Sequence, residues 1–274
     1  MIERETCLTG WHSGKCRANG IDIHYLRSGE DKPPLIALHG LMGSGACLSP
    51  LAHTLRNSFD VILPDARGHG GSSADGDGYS YAQLADDVVG LIKELQLNAP
   101  ILLGHSMGGM TDALIGNRAG LTFTSVVLVD PTFIDPDWQR EVFESGVGDE
   151  HRQSLTLARS DLLAQASVRS PHRSREMVEL LVDAKLRTSV NAFQVLTPPN
   201  PEYRELIRNI DVPILLVLGD RGIVSLDTAR ELQSLNPSLC FELIRDAGHG
   251  LPYDEPERLG VIVESFLRTR CFQG

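Results

Sequence analysis

Residues 100–110, Pro-Ile-Leu-Leu-Gly-His-Ser-Met-Gly-Gly-Met, constrain this chain more than any other stretch. Ile101 to Leu103 are a short apolar run suited to a buried parallel strand, and Gly104-His105-Ser106-Met107-Gly108 fits the G-x-S-x-G turn from strand to helix. A strand that bends abruptly into a helix forces the residue at the bend into an unfavourable backbone conformation. The residues two before and two after it must then be almost free of side chain, so that strand and helix can approach. This geometry puts the Ser106 hydroxyl at the strand tip. The following helix, read as 107–118, aims its amino terminus at any negative charge developing there. A Gly-rich turn without chemistry fits the same five residues, so the rest of the chain has to decide.

A chain of 274 residues, 42% hydrophobic and 22% charged, can bury a large core as one domain with an insertion. The net charge of −11 and the lack of a Lys/Arg run argue against nucleic acid as a partner. The start, Met-Ile-Glu-Arg-Glu, lacks an apolar signal core, and no stretch has the apolar length of a membrane span. A cytoplasmic location without membrane contact is the expectation. Cys7, Cys16, Cys47, Cys240 and Cys271 are odd in number, scattered and without C-x-x-C spacing. They read as free thiols, with metal ligation and disulfides disfavoured.

Residues 1–19 show little periodicity and read as a loosely held lead-in. The alternation in Ile21-Asp-Ile-His-Tyr-Leu predicts a half-exposed strand at a sheet edge. Buried strands follow at 35–40, ending in the Gly-rich loop of Gly40, Gly43 and Gly45, and at 59–65, before the turn Arg67-Gly-His-Gly-Gly-Ser. Helices are expected at 49–57 and 81–95, the second with an apolar stripe at Leu84, Val88, Leu91, Ile92 and Leu95. After the elbow comes the strand 125–129, ending in Asp130-Pro131. Strand and helix alternate throughout, which implies crossovers and a mostly parallel, doubly wound α/β sheet. The alternation stops at 132–209, where helical patterns at 137–144, 155–166 and 174–186 have no strand between them. It resumes with strands at 212–219 and 239–244 and helices at 226–235 and 255–270. The expected organisation is a core of residues 1–131 and 210–274, with 132–209 inserted as a helical lid.

Gly248-His249-Gly250 lies just past the strand ending at Ile244, and open α/β sheets build their sites beyond the carboxyl ends of strands. With His39-Gly40, Asp65-Ala-Arg-Gly-His-Gly and Gly104-His-Ser-Met-Gly, it gives a set of motifs spanning nearly the whole chain. On these motifs the chain resembles the α/β-hydrolase family. The resemblance implies a cofactor-free, metal-free hydrolase with Ser106 as nucleophile and His249 as base. It also implies an oxyanion hole formed by the backbone N–H groups of Leu41 and Met107.

The acid departs from the family pattern. Members usually carry it in a Gly-Asp-x-Asp segment after the strand that follows the insertion. Here the segment is Gly219-Asp220-Arg221-Gly222, with glycine at the expected position. Asp220, Asp227 and Asp130 compete for the role. Asp220 comes two residues early and reads as structural. Asp227 sits in the first turn of a predicted helix, where compensating the helix dipole is its ordinary role. Asp130 ends the strand directly after the elbow helix, the strand end at which relatives such as the haloalkane dehalogenases carry their acid. The expected triad is Ser106, Asp130 and His249.

His105 is expected to point into the fold as packing, His39 to contribute mainly through its loop, and Arg67 and His69 to be structural. The insertion holds Arg140, Arg152, Arg159, Arg169, Arg173, Arg175 and Arg187, most of them expected to be solvated or ion-paired. The sharper expectation is that Arg140, Arg159 or Arg169 faces Ser106 and grips a substrate carboxylate in two-pronged fashion. The leading reading is a serine hydrolase acting on a small carboxylic ester or lactone. Hydrolysis of a carbon–carbon or amide bond in a small carboxylated intermediate is the alternative, and from another class, non-catalytic ligand binding on the same fold. Epoxide hydrolase and dehalogenase activities are disfavoured, because those relatives place aspartate where Ser106 stands. A small-molecule substrate is the expected partner, and a homodimer is left open.

Overall fold

Side chains alternate across a strand, and here each alternate set meets its own layer of helices. The computed structural model describes residues 10–29, 31–74, 76–118 and 120–270. Its eight strands are β1 (His12–Ala18), β2 (Ile21–Arg27), β3 (Pro34–Leu38), β4 (Asp60–Pro64), β5 (Ile101–His105), β6 (Ser125–Val129), β7 (Ile214–Arg221) and β8 (Leu239–Gly248). They form one sheet in the order β1-β2-β4-β3-β5-β6-β7-β8. Its first two pairings are antiparallel and the rest parallel. Ile36, Leu38, Leu102, Val126, Leu128 and Leu216 face one core layer; Leu35, Ala37, Ile101, Leu103, Val127 and Val129 face the other. Burial on both faces is why these strands read as continuous apolar runs.

The first layer is covered by α2 (Tyr81–Glu94), α3 (Met107–Gly116), α8 (Tyr203–Arg208) and α9 (Leu226–Leu235). The second is covered by α1 (Ser49–Leu55), α10 (Leu251–Asp254) and α11 (Pro256–Arg270). Between β6 and β7 come α4 (Pro136–Glu144), α5 (Val147–Ser154), α6 (Arg159–Arg169) and α7 (Arg175–Leu186), then a 3₁₀ segment, Val190–Leu196, and α8. Asp135 and Ser174 cap α4 and α7 by accepting from Trp138 N–H and Met177 N–H. Among the described residues no helix is long and apolar enough to cross a membrane.

Three expectations need correction. Residues 12–18 of the supposed lead-in are a strand, β1, hairpinned to β2 through Asn19 and Gly20, both with positive φ (47° and 81°). The edge therefore belongs to β1, and β2 is paired on both sides. In the insertion, the helix expected at 155–166 spans Arg159–Arg169, and the polar Val147–Ser154 forms a further helix. Cys16, Cys47 and Cys240 are free thiols. Cys7, Cys271 and the first nine residues of the expected lead-in lie outside the described residues.

Candidate active site

Ser106 follows β5 directly and caps α3, with φ 56° and ψ −117°, a conformation rarely adopted by residues other than glycine. Its neighbours make that conformation sustainable. A Cβ on Gly104 would lie 2.3 Å from Gly108 O, and one on Gly108 would lie 2.4 Å from Leu38 O. Any side chain at either position would push strand and helix apart. Ser106 N–H donates to Val129 O (3.1 Å), which ties the bend to the next strand.

His249 stands between β8 and α10, and its ring spans two other strand ends. Ser106 Oγ lies 2.9 Å from His249 Nε2, and Asp130 Oδ2 lies 2.7 Å from Nδ1. The tautomer matching both contacts donates from Nδ1 to the carboxylate and accepts the serine proton at Nε2. Asp130 is fully buried just past β6, again at a positive φ (39°). Its Oδ1 accepts from Ile223 N–H (3.0 Å) and Val224 N–H (2.9 Å), and Oδ2 shares the Ile223 donor (2.9 Å). These donors follow Gly222, the position where the family pattern leads the acid to be expected. A Cβ at Gly222 would lie 2.6 Å from Asp130 Oδ2. The carboxylate of residue 130 thus fills the space that a side chain at 222 would need.

The competing carboxylates go elsewhere. Asp220 accepts from Asp246 N–H (3.0 Å) and Ala247 N–H (3.2 Å), fastening the end of β8 ahead of His249. Those backbone donors, Asp246 first, hold its carboxyl below the usual pKa. Asp227 is exposed and pairs with Arg230 at 3.3 Å.

His105 departs from the packing role expected of it. Its Nε2–H donates to the backbone carbonyl of His249 (2.7 Å), and the two rings lie 4.7 Å apart. Tyr253 Oη is 3.5 Å from the opposite ring nitrogen. Burial, and then the charge His249 can carry, push the His105 pKa down to about 3, so it stays a neutral donor. Sequence spacing carries no signal for this contact, which joins residues 144 positions apart.

Leu41 and Met107 line a cavity of about 160 Å³ beside Ser106. Tyr81, Thr132, Ile134, Trp138, Gln139, Val142, Val195, Leu196, Asn200 and Ile223 complete the wall, and none of these residues is charged. Gln139 is occupied by backbone, donating to Ile134 O (3.0 Å) and accepting from Asn200 N–H (2.9 Å). The arginines expected here are not brought to Ser106. Arg140 pairs with Asp137 (3.4 Å) in solvent, and Arg159 grips Asp183 at the surface through two bonds (2.6 and 2.8 Å). Arg169 lines a separate cleft between α6 and α7. The Arg140 pair is local, three residues apart on α4, while the Arg159 pair joins α6 to α7. Among the described residues no group of three or more His, Cys, Asp or Glu side chains could hold a metal ion.

Comparison with known proteins places the chain among relatives. A model of the alpha/beta hydrolase family matches residues 35–260. The sn-1-specific diacylglycerol lipase ABHD11 of Xenopus laevis is 36% identical over 254 residues, spanning 87% of this chain and 78% of its own. N-formylmaleamate deformylase of Pseudomonas putida is 28% identical over 260 residues, spanning 93% and 96%. Among solved structures, that of E-2-(acetamidomethylene)succinate hydrolase superposes with a TM-score of 0.82 at 22% identity, covering 94% of this chain and 99% of that one.

Proposed function

The chain belongs to the alpha/beta hydrolase family, and from that premise we propose that it is a serine hydrolase cleaving carboxylic esters through an acyl-enzyme on Ser106. The observation that carries the reading is the unbroken relay from Ser106 Oγ through the His249 ring to the buried Asp130 carboxylate. His249 Nε2 takes the hydroxyl proton as Oγ attacks the ester carbonyl, and Asp130 holds the tautomer and stabilises the imidazolium. The oxyanion is received by the N–H groups of Leu41 and Met107; Met107 begins α3, so its N–H has no intrahelical acceptor. Collapse breaks the bond to the alcohol oxygen, which leaves with the proton from His249. Water, deprotonated by the same nitrogen, then releases the acid and restores Ser106. Within residues 132–209, α4 to α7 act as the lid while α8 packs on the sheet, with α4 and the 3₁₀ segment 190–196 walling the substrate cavity.

The uncharged wall around Ser106 favours a neutral apolar acyl group. The N-formylmaleamate deformylase relative is named for removing a formyl group from nitrogen, which keeps amide cleavage as the second reading. A carboxylate beside Ser106 would meet no cation in that wall, so esters and lactones stand ahead. Ser106→Ala tests the proposal: hydrolysis of p-nitrophenyl esters and labelling by a fluorophosphonate should both vanish. Labelling that persists would place the nucleophile elsewhere.

A further inference from the structure

The cavity at Ser106 has a neighbour. A wider, more open space of about 330 Å³ lies between α4, α5 and the 3₁₀ segment 190–196. Phe143, Val147, Val190 and Phe193 supply its apolar wall, and Leu196 lines both spaces. Adjacent residues divide in the same way. Val142 and Val195 face the Ser106 cavity, while Phe143 and Gln194 line the outer one. Leu196 is thus the one lining residue the two spaces share, beside one turn of α4. Phe143 is 50% exposed at the outer space, an aromatic surface that a chain could cover. The charges at that mouth, Asp149 and Arg152, pair with each other, so neither is aimed unpaired at an apolar occupant.

We propose that the outer space is the subsite for the far end of an extended acyl chain, which passes Leu196 on its way from Ser106. The preferred substrates are then esters of medium- to long-chain acids. This deepens, and rests on, the ester-hydrolase reading. With its carbonyl at Ser106 a short acyl group stays within the inner cavity. Further methylenes have to leave it, and the route beside Leu196 leads them onto Phe143 and Val147. Each methylene taken out of water there raises kcat/KM by about fourfold, the ~0.8 kcal/mol of its burial.

The test is kcat/KM across p-nitrophenyl acetate, butyrate, octanoate and laurate for the wild type, Leu196→Phe, Phe143→Asp and Ser106→Ala. The wild type should rise from acetate to octanoate. Leu196→Phe narrows the passage and should lower the octanoate-to-acetate ratio at least tenfold. Phe143→Asp, at a half-exposed position that can accept a charge without unfolding, should lower the same ratio by placing a carboxylate on the chain's path. A flat wild-type profile, or variants in which both esters change by one factor, overturns the outer subsite. Hydrolysis that survives Ser106→Ala overturns the reading beneath it, a separate and distinguishable failure.

Discussion

Glycine at 222 and aspartate at 130 are two halves of one arrangement, since the space kept empty at one holds the carboxylate of the other. Gly222→Ala should therefore displace the acid and lower kcat by about 10²-fold, the scale of a misplacement near 1 Å. Steady-state kinetics would read it, and wild-type kcat in that variant would contradict the steric account. His105 holds the backbone beneath the His249 ring by donating to the His249 carbonyl. Its loss in His105→Phe should reduce kcat with KM little changed, while His105→Gln, which keeps an N–H donor, should recover much of the rate. Equal losses in both variants would assign His105 a packing role only. Arg140 takes Asp137 three residues earlier on the same helix, a local pair, whereas Arg159 could not be placed from sequence, because the fold brings Asp183 within its reach.

At the scale of elements, the elbow was legible because its cause is local. The bend, the missing side chains at 104 and 108 and the apolar run before them all lie within eight residues. The parallel strands were legible for the same reason, being apolar on both faces. β1 was not, since an edge strand exposing most of its side chains has no apolar period; the signal that marks it is the Asn19-Gly20 turn. Helix α3 carries a further consequence in Asp112, fully buried, with neither carboxyl oxygen hydrogen-bonded among the described residues. Burial raises its pKa well above the usual carboxylate value. An unfolded aspartate titrates near pH ~3.9, so the folded state holds the extra proton above that pH. The stability associated with this group is complete below the unfolded pKa and falls as pH rises toward the folded one. Asp112→Asn removes that slope. Its melting temperature relative to wild type should climb between pH 4.5 and pH 8, and a difference independent of pH would show that Asp112 does not titrate in this way.

Across the whole molecule, the candidate site is assembled from the ends of β5, β6 and β8, adjacent to β7, whose following turn secures the acid. The insertion reaches the same place by another route. Arg173, in the loop between α6 and α7, grips Asp254 at the end of α10 with bonds of 2.6 and 3.1 Å, and His172 adds a third at 3.0 Å. That helix begins two residues after His249, so the segment between β6 and β7 is tied to the loop that carries His249. The direct measurement is kcat for Asp130→Asn beside Asp220→Asn, using the best p-nitrophenyl ester. The expected result is a fall of about 10⁴-fold in Asp130→Asn, as for an acid that fixes a catalytic tautomer, and a far smaller fall in Asp220→Asn. The reverse ranking would contradict the assignment of the acid to the strand after the nucleophile helix.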